Sequence, residues 1–183
     1  MRSLEQPDTF HLSAAIGWLG LGKWQEANEE LEKITPGLRA HPDVLEVRLE
    51  IYSKAGKWDI TAEIARALVK IRPNDPQLWI SLAYATRRMP NGGIPLAKII
   101  LAKAQPLFPK EPLIAYNLAC YECQIGNWKV AWKWLESAFD LGDLKKVKLM
   151  ERTCCAAGIR RGHPVRHHPR RVLLPTVGPI LFE

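Results

Sequence analysis

The residues of this 183-residue chain with the clearest chemical potential are four cysteines, five histidines and scattered Tyr, Trp and Arg side chains. Cys120-Tyr121-Glu122-Cys123 forms a C-x-x-C. A redox pair of this kind works at the start of a helix, where the dipole lowers a thiol pKa. A zinc site needs a second pair of ligands at suitable spacing. The only further candidates are Cys154-Cys155 with His163, His167 and His168, at irregular spacing. The C-x-x-C lies inside a helical apolar pattern, so its thiols read as small packing residues. His11 and His41 have no cysteine or carboxylate pattern around them that suggests chemistry, and Glu29-Glu30 with Glu32-Lys33 reads as a solvated helix face. There is no glycine-rich phosphate loop, nucleophile elbow or H-E-x-x-H. No convergent acid, base or nucleophile is visible. The expectation is a non-enzyme with no cofactor and no metal.

The elements that position these residues follow from an internal repeat, the first thing to seek in such a chain. Leu21-Gly22-Lys23-Trp24, Ala55-Gly56-Lys57-Trp58 and Ile125-Gly126-Asn127-Trp128 share one pattern. The first two glycines are 34 residues apart and the next pair 70 apart, leaving room for one unit with a two-residue insertion. That unit holds an apolar-periodic stretch from Gln77 to Arg88, then the turn Pro90-Asn91-Gly92-Gly93. Each unit reads as helix, glycine turn, helix, closed by Pro or Asp.

The repeats run over about residues 8–41, 42–75, 76–111 and 112–143. Apolar residues fall at i, i+3, i+4 and i+7. Ala14, Ala15, Trp18 and Leu21 precede the first turn, and Ala27, Leu31 and Ile34 follow it. Leu45, Leu49 and Tyr52, then Ala65, Leu68 and Ile71, do the same in the second. The third has Trp79, Leu82 and Ala83, then Ala97, Leu101 and Ala104; the fourth has Leu118 and Ala119, then Ala131, Leu135 and Ala138. Small residues allow close helix approach. Gly22, Gly56 and Gly126 suit a helix end with positive φ. Pro42, Pro76 and Pro112 suit a first helical position, which tolerates a missing N–H. Trp24, Trp58 and Trp128 open the second helices and cover the turns. Trp128 and Trp132, one turn apart, read as core, whereas Trp134 points elsewhere.

Over residues 8–143 the chain resembles the tetratricopeptide-repeat family. Tyr116-Asn117-Leu118-Ala119-Cys120-Tyr121 through Gly126, then Trp128, Ala131, Leu135 and Ala138, give the clearest match. Thr61 stands where the family usually places Ala, and the third repeat lacks the Gly-x-aromatic turn. The resemblance implies an all-α, right-handed helical solenoid of about four repeats, whose first helices line a concave peptide-binding groove. Carried over residue by residue, the groove positions are Leu12, Ser13, Ile16 and Leu19, then Glu46, Val47, Glu50 and Lys54. The later repeats add Ile80, Ser81, Tyr84, Arg87 and Arg88, then Leu113, Tyr116, Asn117, Cys120 and Gln124. Ile80, Tyr84, Arg87, Arg88, Tyr116, Asn117 and Gln124 are the implied site, because Tyr and Arg are favoured at binding hot spots. The cations that clamp an acidic chaperone C-terminus are missing in either register, where Leu12, Ile16, Val47, Gln77 and Ser81, or Glu46, Glu50, Ser81, Leu113 and Asn117, occupy those positions.

Past the repeats, Leu144 to about residue 157 reads as a partial capping helix. Residues 158–183 form an irregular Arg/His/Pro-rich tail. Residues 151–183 hold six Arg against two Glu, giving +4 of the +7 net charge, so the body is nearly balanced. The tail reads as a basic arm for nucleic acid or acidic partners, as an extension docking Val172 to Leu174 and Ile180 to Phe182, or as an out-of-frame replacement of a normal cap. The opening residues lack a secretory pattern, and no apolar run approaches the roughly 20 residues of a membrane span. A cytoplasmic protein-binding adaptor or scaffold is expected, with a client-holding secretion or assembly chaperone, or a nucleic-acid-associated protein using the tail, as alternatives.

Overall fold

The computed structural model describes residues 3–142. The expected capping helix and the basic tail lie outside the described residues. Among the described residues all regular structure is helical. Eight α-helices run in order: α1 (Asp8–Gly20), α2 (Trp24–Lys33), α3 (Pro42–Lys54), α4 (Trp58–Ile71), α5 (Pro76–Arg88), α6 (Ile94–Ala104), α7 (Pro112–Gln124) and α8 (Trp128–Leu141). A single 3-10 turn, Pro36–Leu38, joins α2 to α3. The chain divides into two compact units between Leu107 and Phe108.

The turn glycines are equivalent. Gly22, Gly56 and Gly126 have φ of +73°, +69° and +85°. At each, the glycine N–H donates to the carbonyl three residues back: Leu19, Ser53 and Cys123. The next N–H reaches five residues back, from Lys23 to Trp18, Lys57 to Tyr52 and Asn127 to Glu122. This paired bonding satisfies carbonyls that a helix end otherwise leaves open. The third repeat, without the family's aromatic turn, solves the problem differently. Gly93 (φ +117°) donates to Thr86, and a Cβ on Gly92 would sit 1.8 Å from the same carbonyl oxygen. The two-residue insertion therefore folds back over the end of α5.

Proline opens α3, α5 and α7, as expected, and a side chain caps each start. Asp75 Oδ1 accepts from Gln77 N at 2.9 Å, Glu111 Oε1 from Leu113 N at 3.0 Å, and His41 Nδ1 from Asp43 N at 3.3 Å. Trp24, Trp58 and Trp128 open α2, α4 and α8. Thr61 is buried without cost because its hydroxyl donates to the Lys57 carbonyl at 2.8 Å.

In the first unit the core is two connected layers. One joins Ala15 and Leu19 of α1, Ala27 and Leu31 of α2, Ile34, and Val44 and Ile51 of α3. The other joins Leu49 of α3, Ala62, Ala65, Leu68 and Val69 of α4, and Leu78, Leu82 and Ala85 of α5. Helix α3 thus buries opposite sides in different layers, which is how a repeat array builds one continuous core. In the second unit, Ala115, Tyr116, Ala119, Cys120 and Cys123 of α7 pack with Ala131, Leu135 and Ala138 of α8.

Several expected core positions differ. Ala14, Trp18 and Leu21 are exposed; Ala15 is buried as expected, and Leu19 faces inward with it. The turn geometry sets this phase, because Gly22 bonds back to Leu19 and leaves Leu21 at the outer corner. Leu19, expected to line the groove, is consequently core. Ile71, in the last turn of α4, is also exposed. Trp132 is 43% exposed, its indole N–H bonded to Glu136, while Trp134 packs on the core with Trp128. The inward stripe of α8 runs through Ala131, Leu135 and Ala138, which leaves position 132 outside it.

Candidate functional site

Helix α5 sets the phase of the candidate site. Its Leu78, Leu82 and Ala85 are buried against α4, and Ala83 and Thr86 are buried as well. The remaining stripe, at helical spacing, is Ile80, Ser81, Tyr84, Arg87 and Arg88, all half-buried. These are the positions that the resemblance assigns to the groove in the third repeat.

At the end of that stripe the side chains stack. The Arg88 guanidinium lies 3.5 Å from the Tyr84 ring centroid and 5.3 Å from that of Trp58. Arg87 lies 5.9 Å from the Tyr84 centroid. Tyr84 and Trp58 meet edge to face, centroids 5.6 Å apart and planes at 71°. Each ring quadrupole attracts the cation over its face, by about 0.5–2 kcal/mol depending on desolvation. The aromatic faces lie against both guanidiniums. Trp58, first residue of α4, is the member that sequence reasoning assigned only to covering the turn. Its ring does both, since a Cβ on Gly56 would lie 4.0 Å from its Nε1.

The fourth-repeat candidates are differently placed. Tyr116 is 7% exposed and belongs to the α7–α8 cluster. Its expected place on an open surface is corrected by that burial: the ring packs in the cluster that α7 makes with Ala131, Leu135 and Ala138 of α8. Asn117 is half-buried, and its Nδ2 donates to the Leu113 carbonyl one turn back at 2.8 Å. Gln124 is exposed at the last residue of α7. Cys120 and Cys123 are buried in the same apolar cluster, which is the placement expected of packing residues.

Charged residues near the first turn proved more organised than a solvated face. His11 Nδ1 lies 3.0 Å from Glu30 Oε2, and Lys33 Nζ lies 2.7 Å from Glu30 Oε1. Hydrogen bonds from Lys33, and secondarily from His11, hold the Glu30 carboxyl below its ordinary range. Glu32 takes Arg39 at 2.7 Å and Arg48 of α3 at 2.9 Å. Buried Asp8 accepts from the Thr35 backbone N–H at 2.8 Å, tying the start of α1 to the loop after α2. The i, i+3 spacing could have found the Glu30–Lys33 pair, which in sequence reads as part of a solvated face, but nothing in sequence links residues 19 or 27 positions apart.

Helix pairs closed by one glycine turn and stacked at a 34-residue period define a tetratricopeptide-repeat fold, and the chain has that fold. Among solved structures it is similar to MamA, residues 41 to the end, from Desulfovibrio magneticus RS-1, with a TM-score of 0.66 and 17% identity over 73% of this chain and 75% of that one. It is also similar to TTC0263, a thermophilic TPR protein of Thermus thermophilus, with a TM-score of 0.63 and 18% identity over 85% of this chain and 83% of that one. Known family patterns and curated protein sequences give no match. Among the described residues no helix is long and apolar enough to cross a membrane.

Proposed function

We propose that this chain is a non-catalytic adaptor that holds an acidic protein segment on the Ile80, Tyr84, Arg87 and Arg88 stripe of α5. The observation behind this reading is the stack in which Tyr84 and Trp58 brace Arg88, with Arg87 beside it. Ordered guanidiniums lose less conformational freedom on binding than mobile ones. Tyr and Arg side by side also match the composition of interface hot spots. Apolar Ile80, one turn before Tyr84, supports an apolar contact beside the acidic one.

The test is affinity capture with the full chain, comparing the unmodified protein with Tyr84→Ala and Arg87→Glu. Both positions are partly exposed, and thermal melts identify any variant that loses its fold. The expected result is loss of the captured partner with both folded variants and weaker capture at high salt. Capture unchanged by either substitution would remove the site.

A further inference from the structure

The solvent face of α8 carries a second inference. Helices α4 and α8 are in register at a spacing of 70 residues, as Gly56 and Gly126 are. The outward stripe of α4 is Asp59, Glu63, Arg66 and Lys70, all exposed. The same four positions in α8 are Lys129, Lys133, Glu136 and Asp140, also exposed. The sign at every position is reversed. The order in α4 is the one that a helix by itself favours, because the backbone dipole attracts acids near the first turn and bases near the last. The order in α8 opposes the dipole, with no acid in the first turn and no base in the last. Lys129 with Lys133, and Glu136 with Asp140, also set like charges one turn apart, which destabilises a helix. None of the four makes an ion pair among the described residues.

The pattern is symmetric about its own centre. Lys129 and Asp140 are equally far in sequence from the midpoint between Trp134 and Leu135, and so are Lys133 and Glu136. At 3.6 residues per turn the four fall within about 60° of one another, along roughly 16 Å of helix axis. A second α8 laid antiparallel on this stripe meets it with opposite charge at every position. Lys129 faces the partner's Asp140, Lys133 faces the partner's Glu136, and the reverse pairs form by symmetry. A two-fold interface requires this self-complementarity, in which residue i contacts j and j contacts i. Trp132, 43% exposed, borders the stripe and donates its indole N–H to Glu136. The same two-fold places both Trp132 side chains on one side of the helix pair near its centre, where they add apolar contact.

We infer that α8 pairs antiparallel with α8 of a second copy of this chain, through Lys129, Lys133, Glu136 and Asp140. Charges along paired helices fix both partner and orientation. One helix face is smaller than the roughly 800 Å² per partner of a standard stable interface, so the pair is reversible and depends on concentration. Residues 143–183 match the stripe less well: with nine Lys or Arg against three Asp or Glu, they answer Glu136 and Asp140 but not Lys129 and Lys133. A parallel contact with the partner copy's α4 also matches in sign. It joins two unlike surfaces and so builds rings or chains rather than a closed pair. The α8 pairing is separate from the α5 stripe and does not depend on it.

The test is sedimentation velocity on the full chain at increasing concentration, with two charge-swapped variants. Lys129→Glu with Lys133→Glu makes the stripe wholly acidic, and Glu136→Lys with Asp140→Lys makes it wholly basic. The unmodified chain is expected to dimerise, more weakly at high salt. Each variant alone should self-associate at least about tenfold more weakly, and an equimolar mixture of the two should restore association, because every facing pair is again opposite in sign. Tyr84→Ala should dimerise as the unmodified chain does. All four side chains are exposed, and melting temperatures check that the swaps leave the fold intact. A chain that stays monomeric, or a dimer that survives both swaps, overturns the inference. Two monomeric variants that fail to associate when mixed also overturn it, by excluding the antiparallel α8 pair.

Discussion

Helices α1 and α3 occupy the same place in successive repeats and end in the same paired-hydrogen-bond turn, yet they meet different surroundings. Helix α3 buries Val44 and Ile51 on one side and Leu49 on the other. Helix α1 buries Ala15 and Leu19 and leaves Phe10 and Leu21 in water. Local structure is thus set by the repeat, whereas burial is set by whether a neighbour exists on each side. In α3 an apolar residue on either face contributes to stability; in α1 only half of them do.

The widest separation between the two helices is expected from matched truncations. Ile51→Ala should cost about 2–5 kcal/mol, because a fully enclosed side chain leaves a cavity. Phe10→Ala should change stability by no more than about 0.5 kcal/mol, the usual range for exposed sites without special contacts. Denaturant titration of both measures the difference directly. A large loss in Phe10→Ala would mean that α1 already has a neighbour on its outer face.

Next in size is Trp58→Ala, expected to cost about 3 kcal/mol, the low end for a large aromatic, since the ring is only partly enclosed. Its loss also removes the edge-to-face partner of Tyr84 and a second ring for Arg88. Trp58→Phe should recover most of the packing, because an aromatic edge would still face Tyr84. A near-zero change in Trp58→Ala would separate the stack from the stability of the α4–α5 layer.

Much of this architecture was legible in the sequence. Gly22, Gly56 and Gly126 announced equivalent turns, and Pro42, Pro76 and Pro112 announced helix starts, because both residue types are selected by local backbone geometry. The inward stripes after each turn were equally readable in Ala27 and Leu31, Ala65 and Leu68, and Ala131 and Leu135. First helices were harder. With two sides to bury, they lack a clean single stripe, so Trp18 and Leu19 exchange roles, and Tyr116 is packed rather than presented. The α5 stripe was placed by carrying over groove positions, but its stacking of Arg88 on Tyr84 and Trp58 joins different helices and has no spacing signature. The Asp8–Thr35 and His11–Glu30 contacts were hidden for the same reason.

A smaller effect separates α1 from α3 by pH. Glu30 joins Lys33 and His11 of α1, and its carboxyl is held below the ordinary value of about 4.5. A depressed folded-state pKa means that the unfolded chain takes up the proton first. The contribution is therefore complete above the unfolded value and is lost as pH falls through the folded one. Glu30→Gln should flatten the acid limb of the stability profile below about pH 4.5 while leaving the neutral-pH slope unchanged. A profile of unchanged shape would mean that the ion pairs around α1 do not couple to unfolding.

The smallest expected change has the opposite sign. Gly17 lies in α1 with open space where a Cβ would project, so Gly17→Ala meets no obstacle in the free protein. It also restricts the unfolded chain and should stabilise by about 0.5–1 kcal/mol. The matching position in α3, Ile51, gives no such gain on any substitution because its space is already filled. Gly17→Ala should therefore raise the melting temperature, which thermal unfolding measures; an unchanged or lowered value would mean that α1 already has a neighbour at Gly17.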